Sequence, residues 1–148
     1  MPILFALLAI VGTGASCATP LETPQAPPRT EPMSPGQTAV ATGVWGGDHI
    51  GLTVTDSGAQ LEFDCATGEI TRRLTVDASG RGLFDGLYVQ ERGGPVRLGQ
   101  EPERQAARYA ARVAGTTLTL DVTLSASGTA VGSFSLTHGR TPRVKKCR

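Results

Sequence analysis

The sequence predicts an all-β domain that closes as a small up-and-down antiparallel β-barrel of about eight strands. Three observations carry that expectation. Apolar and polar residues alternate at period two through most of the chain beyond Ala39, the pattern of strands with one dry face. Turn sequences punctuate the alternation at Asp56-Ser57-Gly58, Asp77-Ala78-Ser79-Gly80 and Ala126-Ser127-Gly128. Glycine is abundant, at 19 of 148 residues, and runs of strong helix formers are few. Consecutive strands that pair with their neighbours form a meander, and closing the meander removes its exposed edges. A two-sheet β-sandwich is the alternative.

The front of the chain reads as an export signal. Residues 1–16 contain the apolar run Ile3–Val11, too short for a mature membrane span and suited to the apolar region of a signal peptide. No Lys or Arg precedes it. Gly14-Ala15-Ser16-Cys17 resembles a bacterial lipobox, in which cleavage before the cysteine is coupled to lipidation of Cys17. Gly14 departs from that pattern, which usually has Leu there. Cleavage by the ordinary signal peptidase is the other reading. Residues 17–38 follow as a linker with six of the ten prolines and almost no large apolar residue. Such a segment buries too little surface to offset its ordering entropy, so disorder is expected. Where it is polyproline-like it spans about 3.1 Å per residue. Its Pro24-Gln25-Ala26-Pro27 is a weak match to a PxxP recognition motif.

The barrel domain is expected over residues 39–148, about 110 residues, enough for a modest core. Gly43 to Leu52 opens it and holds the chain's single Trp, Trp45. Ile50, Leu52 and Val54 form the inner face of a first strand. Leu61, Phe63 and Cys65 form that of a second, which puts Cys65 on the apolar side. Ala66-Thr67-Gly68 reads as a turn, and Glu69–Val76 as a third strand marked by Ile70, Leu74 and Val76. Leu83–Gln90 is a fourth, with apolar residues on both faces; this predicts burial on both sides or a bulge near Asp85-Gly86. Glu91–Ala106 is a connection of about 16 residues, longer than most and therefore either functional or disordered. Ala107–Val113 alternates around Tyr109, Ala111 and Val113. A helix is the alternative there, but Gly115 and the strand after it favour a hairpin. Leu118, Leu120, Val122 and Leu124 oppose Thr117, Thr119, Asp121 and Thr123, giving one dry and one wet face. Val131–Thr137 returns with Phe134 and Leu136 inward.

Cysteine arithmetic links the two ends. With Cys17 taken by lipid, the remaining two of three cysteines, Cys65 and Cys147, form an even pair in an oxidising compartment, where a disulfide is expected. The alternative is two free buried thiols. The bridge would close a loop of about 80 residues and stabilise by about 4 kcal/mol on the chain-entropy model.

Gly43-Val44-Trp45 is similar to the opening of lipocalin-like barrels, whose Trp plugs one end. Gly43–Leu52, Leu61–Ile70 and Gly132–Gly139, with the terminal Lys-Cys, resemble an uncharacterised group of small exported bacterial proteins. That resemblance implies no activity.

Candidate chemistry is sparse. The net charge of +1 gives no field for nucleic acid or an acidic substrate. His49, beside Asp48, shares a strand face with Glu62 and Asp64 if the register allows. A metal site would need both histidines, His49 and His138, to converge with a carboxylate. No Gly-x-Ser-x-Gly nucleophile elbow occurs, and Ser57, Ser79 and Ser127 are turn residues. Glu62 with Asp64, and Glu101 with Glu103, read as solvated acids. No catalytic residue, cofactor or metal is assigned. Ligand-binding candidates are Trp45, Tyr88 and Tyr109, His49 at the rim, and Arg97 on the long connection; an interior cavity lined by the three aromatic residues would favour a small ligand, and a side-chain-filled barrel would argue against one. Arg140, Arg143, Lys145, Lys146 and Arg148 make a basic tail, suited to anionic headgroups near the anchor or simply solvated. The expected function is a non-enzymatic binding module of the bacterial cell envelope. It would be a lipoprotein facing the periplasm or the exterior, held to the membrane by its lipid, with a small ligand or another exported protein as partner. The alternatives are an inhibitor-like barrel acting on an exported protein and a small metal-dependent hydrolase.

Overall fold

The structure is a computed structural model and describes residues 34–91 and 102–147. The leader, Cys17, the linker up to Met33 and Arg97 fall outside them. The strands are β1 (Thr38–Ala39), β2 (Gly43–Gly47), β3 (Ile50–Val54), β4 (Ala59–Phe63) and β5 (Ala66–Ile70). They continue as β6 (Thr75–Val76), β7 (Arg81–Gln90), β8 (Arg104–Ala114), β9 (Thr117–Leu124) and β10 (Ala130–His138). Eight of them close into an antiparallel barrel in the order β10-β2-β3-β4-β5-β7-β8-β9, and β1 pairs with β6 in a separate two-stranded sheet. No helix occurs among the described residues. The all-β barrel is therefore the fold; the sandwich and the helical reading of Ala107–Val113 are not adopted.

The alternation read from the sequence becomes the wall of the barrel. Trp45, Ile50, Leu52, Leu61, Phe63, Ile70, Phe84, Tyr109, Leu118, Leu120, Val122 and Leu136 point inward and are buried. Each such large side chain contributes about 1.5–3 kcal/mol by leaving water. No polar or charged residue is buried among the described residues. The outer positions of β9 hold Thr117, Thr119, Asp121 and Thr123, and those of β8 hold Arg108 and Arg112. A dry interior with a polar exterior is the inverse of a membrane-spanning barrel, whose outward band is apolar.

Four local expectations are corrected. Cys65 does not continue the inner face of β4. The strand ends at Phe63, and Asp64-Cys65 make the turn to β5, with Cys65 at φ 57°. Alternation ran two residues past the strand because Cys65 keeps the parity of Leu61 and Phe63. The expected turn at Ala66-Thr67-Gly68 is accordingly strand β5, in register with β4 from Phe63↔Ala66 to Ala59↔Ile70. Glu69–Val76 is not one strand: β5 stops at Ile70, the chain leaves the barrel, and β6 pairs Thr75 and Val76 with Ala39 and Thr38. In β7 the second face carries no bulge and is not fully buried: Leu87 and Val89 are half-buried and Leu83 is exposed. Register with β8 runs unbroken from Arg81↔Arg112 to Val89↔Arg104, and Leu83 is 54% exposed. The register shift lies instead in β10, between Ala130 and Gly132.

The two ends of the barrel differ. At the end where the linker arrives, Val40, Leu74 and Val76 cap the core, and Val40 N–H donates to Leu74 O at 2.9 Å. His138 lies at this end, tilted over Trp45 with ring centroids 4.8 Å apart. The far end carries the turns Asp48-His49, Asp64-Cys65 and Ser125–Thr129, together with the last residues of β7 and the first of β8.

A candidate functional site at the far end of the barrel

The C-terminal residues after β10 form a strap across the outside of β2 and β3. Alternation dictates where it lies. Trp45 and Leu52 face inward as a registered pair, so the neighbouring pair Gly46↔Gly51 faces outward. Neither has a side chain, and the chain passes directly over them. A Cβ on Gly46 would stand 2.2 Å from Arg140 O, and one on Gly51 would stand 2.8 Å from the Pro142 ring. Gly46 is required because another backbone approaches, a common reason for glycine within a strand, and Gly51 because the Pro142 ring lies against it.

Beyond Pro142 the strap is held by its own backbone. Arg143 N–H donates to Gly47 O at 3.0 Å, and His49 N–H donates to Arg143 O at 2.8 Å, forming a parallel bridge at Asp48. Lys145 N–H donates to Asp64 Oδ1 at 2.6 Å. Two residues further on, Cys147 is disulfide-bonded to Cys65 across 82 positions of sequence, with Cα atoms 4.8 Å apart. That separation is within the ordinary range for the bond. The expected Cys65–Cys147 disulfide is formed, from a turn rather than from the core.

Two residues at this end hold a left-handed backbone conformation without being glycine: His49 at φ 68° and Cys65 at φ 57°. For an L-residue other than Gly this costs about 1–2 kcal/mol. Each is the second residue of a short turn that begins with Asp, and each side chain has a bonded partner. Cys65 has its disulfide. His49 Nδ1 donates to Asp64 Oδ2 at 2.5 Å, with the imidazole 60% exposed. Asp64 therefore ties the His49 turn, the Cys65 turn and the strap together. The backbone N–H of Lys145, followed by the His49 ring, holds its carboxyl below the usual range.

Between the strap and the β2–β3 turn lies a cleft of about 370 Å³, lined by Asp48, His49, Pro142, Arg143, Val144 and Lys145. Asp48 faces two guanidinium groups, Arg140 at 3.3 Å and Arg143 at 3.6 Å. Lys146 reaches Glu91 at 3.9 Å. Pro142 and Val144 supply an apolar floor and the charged groups a rim.

The candidates from the sequence separate into three sets. His49 lines the cleft. Trp45 and Tyr109 are core residues, 1% and 0% exposed, with their polar atoms satisfied internally. Trp45 Nε1 donates to Ala41 O at 3.0 Å, and Tyr109 Oη donates to Leu87 O at 2.7 Å. Burial raises the Tyr109 hydroxyl far above its ordinary pKa. Tyr88 is half-buried near the far mouth, 5.6 Å from the Phe63 ring, and burial raises its pKa as well. The interior around Trp45 and Tyr109 is thus filled by packed side chains. A Cβ on Gly68 would already be 2.6 Å from Tyr109 Oη. Arg97 lies outside the described residues.

The two histidines do not converge. His49 and His138 sit at opposite ends of β2, and His138 Nε2 is bonded to Thr42 O at 3.1 Å. Among the described residues no group of three His, Cys, Asp or Glu is placed to hold a metal ion. Of the basic tail, Lys145 and Lys146 lie at the end of the barrel opposite β1, beside the Asp64-Cys65 turn.

The lowered pKa of Asp64 carries a sign. A depressed carboxyl contributes stability above its unfolded value of about 3.9, lost as pH falls through the folded value. Asp77 behaves likewise, held low by the Ser79 hydroxyl and then by the N–H of Arg81. Thermal melting at a series of pH values should show little change from pH 7 to about 4 and a fall below that. Asp64→Asn should flatten the fall; an identical slope in wild type and variant would contradict the role given to Asp64.

Comparison of the chain with protein-family models, with curated proteins and with solved structures finds no match.

Proposed function

We propose that this chain is an exported, lipid-anchored binding module of the bacterial cell envelope without enzymatic chemistry of its own. Its working surface is the outside of the barrel at the far end. One observation carries the reading: the barrel interior is filled by buried side chains, while the far end presents a cleft built from a pinned strap. A carrier of the lipocalin kind needs an open interior, and Trp45 and Tyr109 occupy that space. A filled barrel with a specialised outer end is a scaffold for surface recognition.

The disulfide supports export, since such bonds persist in oxidising compartments. The linker enters at the opposite end, so a tether from Cys17 would point the cleft away from the membrane.

Two experiments test the proposal in cells. Cys17→Ser should move the protein from the membrane fraction to the soluble envelope fraction; unchanged membrane association would sink the lipid anchor. A photo-crosslinking residue at Val144 should give a discrete adduct in intact cells, while one at Thr119 on the outer face of β9 should not. Equal labelling at the two positions would contradict a working surface at the far end.

A further inference from the structure

We infer that the cleft between the strap and the Asp48-His49 turn binds a small oxyanion carried on an apolar body, and that the Cys65–Cys147 disulfide assembles this site. The inference rests on the reading of the far end as the binding surface. Four of the six lining residues, Pro142, Arg143, Val144 and Lys145, come from the strap, and two, Asp48 and His49, from the β2–β3 turn. Neither part makes a cleft alone. What holds them together is the backbone bridge at Arg143, the Lys145–Asp64 bond and the disulfide.

The chemistry of the ligand follows from the charges. Three permanent cations, Arg140, Arg143 and Lys145, gather around two carboxylates, Asp48 and Asp64. Asp48 is shared by both arginines, and Asp64 accepts from His49 Nδ1 and the Lys145 backbone. The Lys145 ammonium interacts with Asp64 through charge but forms no ion pair within 4 Å among the described residues, and the exposed His49 ring keeps Nε2 outside its bond to Asp64. Cationic charge in excess around a cleft that Pro142 and Val144 also line selects a carboxylate or phosphate group with an apolar portion attached. A volume of about 370 Å³ admits a ligand of roughly a dozen heavy atoms.

The left-handed backbone of His49 supports the same conclusion. Glycine would adopt that conformation without strain, whereas the residue present there puts an imidazole on the cleft lining.

The test uses the whole ectodomain with its disulfide intact, observed by backbone amide NMR. Inorganic phosphate, phenyl phosphate and phenylacetate are titrated separately. Phenyl phosphate or phenylacetate should shift the amides of His49 and Arg143–Lys146 and leave β8 and β9 unmoved. The phenyl compounds should bind at least fivefold tighter than inorganic phosphate; which of the two is stronger decides between a phosphate and a carboxylate. Lys145→Ala, which keeps the backbone bond to Asp64, should weaken binding at least fivefold with an unchanged Tm. His49→Gly should weaken it similarly while Tm stays level or rises. Cys147→Ser should abolish the local shifts. Shifts spread over the surface, or equal binding by these variants, would overturn the site. Silence of all three probes alongside a position-specific Val144 crosslink would remove the oxyanion site and leave the binding module standing.

Discussion

Replacing Cys65 and Cys147 by Ser is expected to lower stability by about 4–5 kcal/mol. The chain-entropy relation gives that figure for a loop closed across 82 residues. For a domain of about 110 residues it corresponds to a fall in Tm on the order of 15 °C. Since small domains have only about 5–15 kcal/mol in total, the loss is a large share of the whole. Thermal melting by circular dichroism, with and without a reducing agent, checks it: wild type in reductant should melt like the double variant. A shift of under about 3 °C in both would show that the strap adds little constraint to the unfolded chain.

The strap should come away when the bridge is cut, while the barrel stays closed. Exposed ion pairs such as Arg140–Asp48 and Arg143–Asp48 contribute about 0–1 kcal/mol each. The backbone bridge at Arg143 adds about 0.5–1.5 kcal/mol per bond. Fixing each strap residue costs about 1–2 kcal/mol in backbone entropy. Without the covalent bond these contacts alone would have to hold residues 140–147 in place. The barrel's own contacts lie within its strands and do not depend on the strap.

Trp45→Ala is the second large effect. Trp45 is the largest fully buried side chain, and it packs beneath His138 and beside the cap of the linker end. Truncating a buried Trp costs about 3–5 kcal/mol, because the transfer energy is lost and a cavity remains. Relaxation is limited here: the flanking β2 residues are fixed by the strap through Gly46 and by β10 through Gly47↔Leu136. A urea titration followed by circular dichroism should give a midpoint reduced by more than half, with Trp45→Phe in between. A loss under about 1 kcal/mol would mean that the plug is dispensable.

The barrel was legible in the sequence because its strands obey a period of two, nowhere more clearly than Leu118–Leu124. The cysteine pair was legible from the count, since one candidate for lipid left an even number. The site was not. Parity carried the reading of Leu61, Phe63 and Cys65 through the end of a strand, and a turn residue of the right parity cannot be told from a strand residue by alternation alone. The strap escaped for another reason. Its bonds are backbone bonds of Arg143 and Lys145, which no side-chain pattern announces. One signal was present: Gly46 and Gly51 fall at outward positions of otherwise well-formed strands, where a missing side chain implies that something passes close by. The His49–Asp64 contact required knowing that two turns separated by a hairpin end side by side. The tail's basic residues read as headgroup-binding or simply solvated, because the sequence does not show that the chain after β10 runs back as a strap to the opposite end.

Amide hydrogen exchange at His49 and Arg143, compared before and after reduction of Cys65–Cys147, tests most directly the claim that the far end is a site assembled by the disulfide. In the oxidised protein both amides should be protected, because they donate to Arg143 O and Gly47 O. After reduction both should exchange at least tenfold faster, while the amides of Tyr109 and Leu120 in the barrel wall stay protected. Unchanged protection at His49 and Arg143 after reduction, or fast exchange at both before it, would contradict the account.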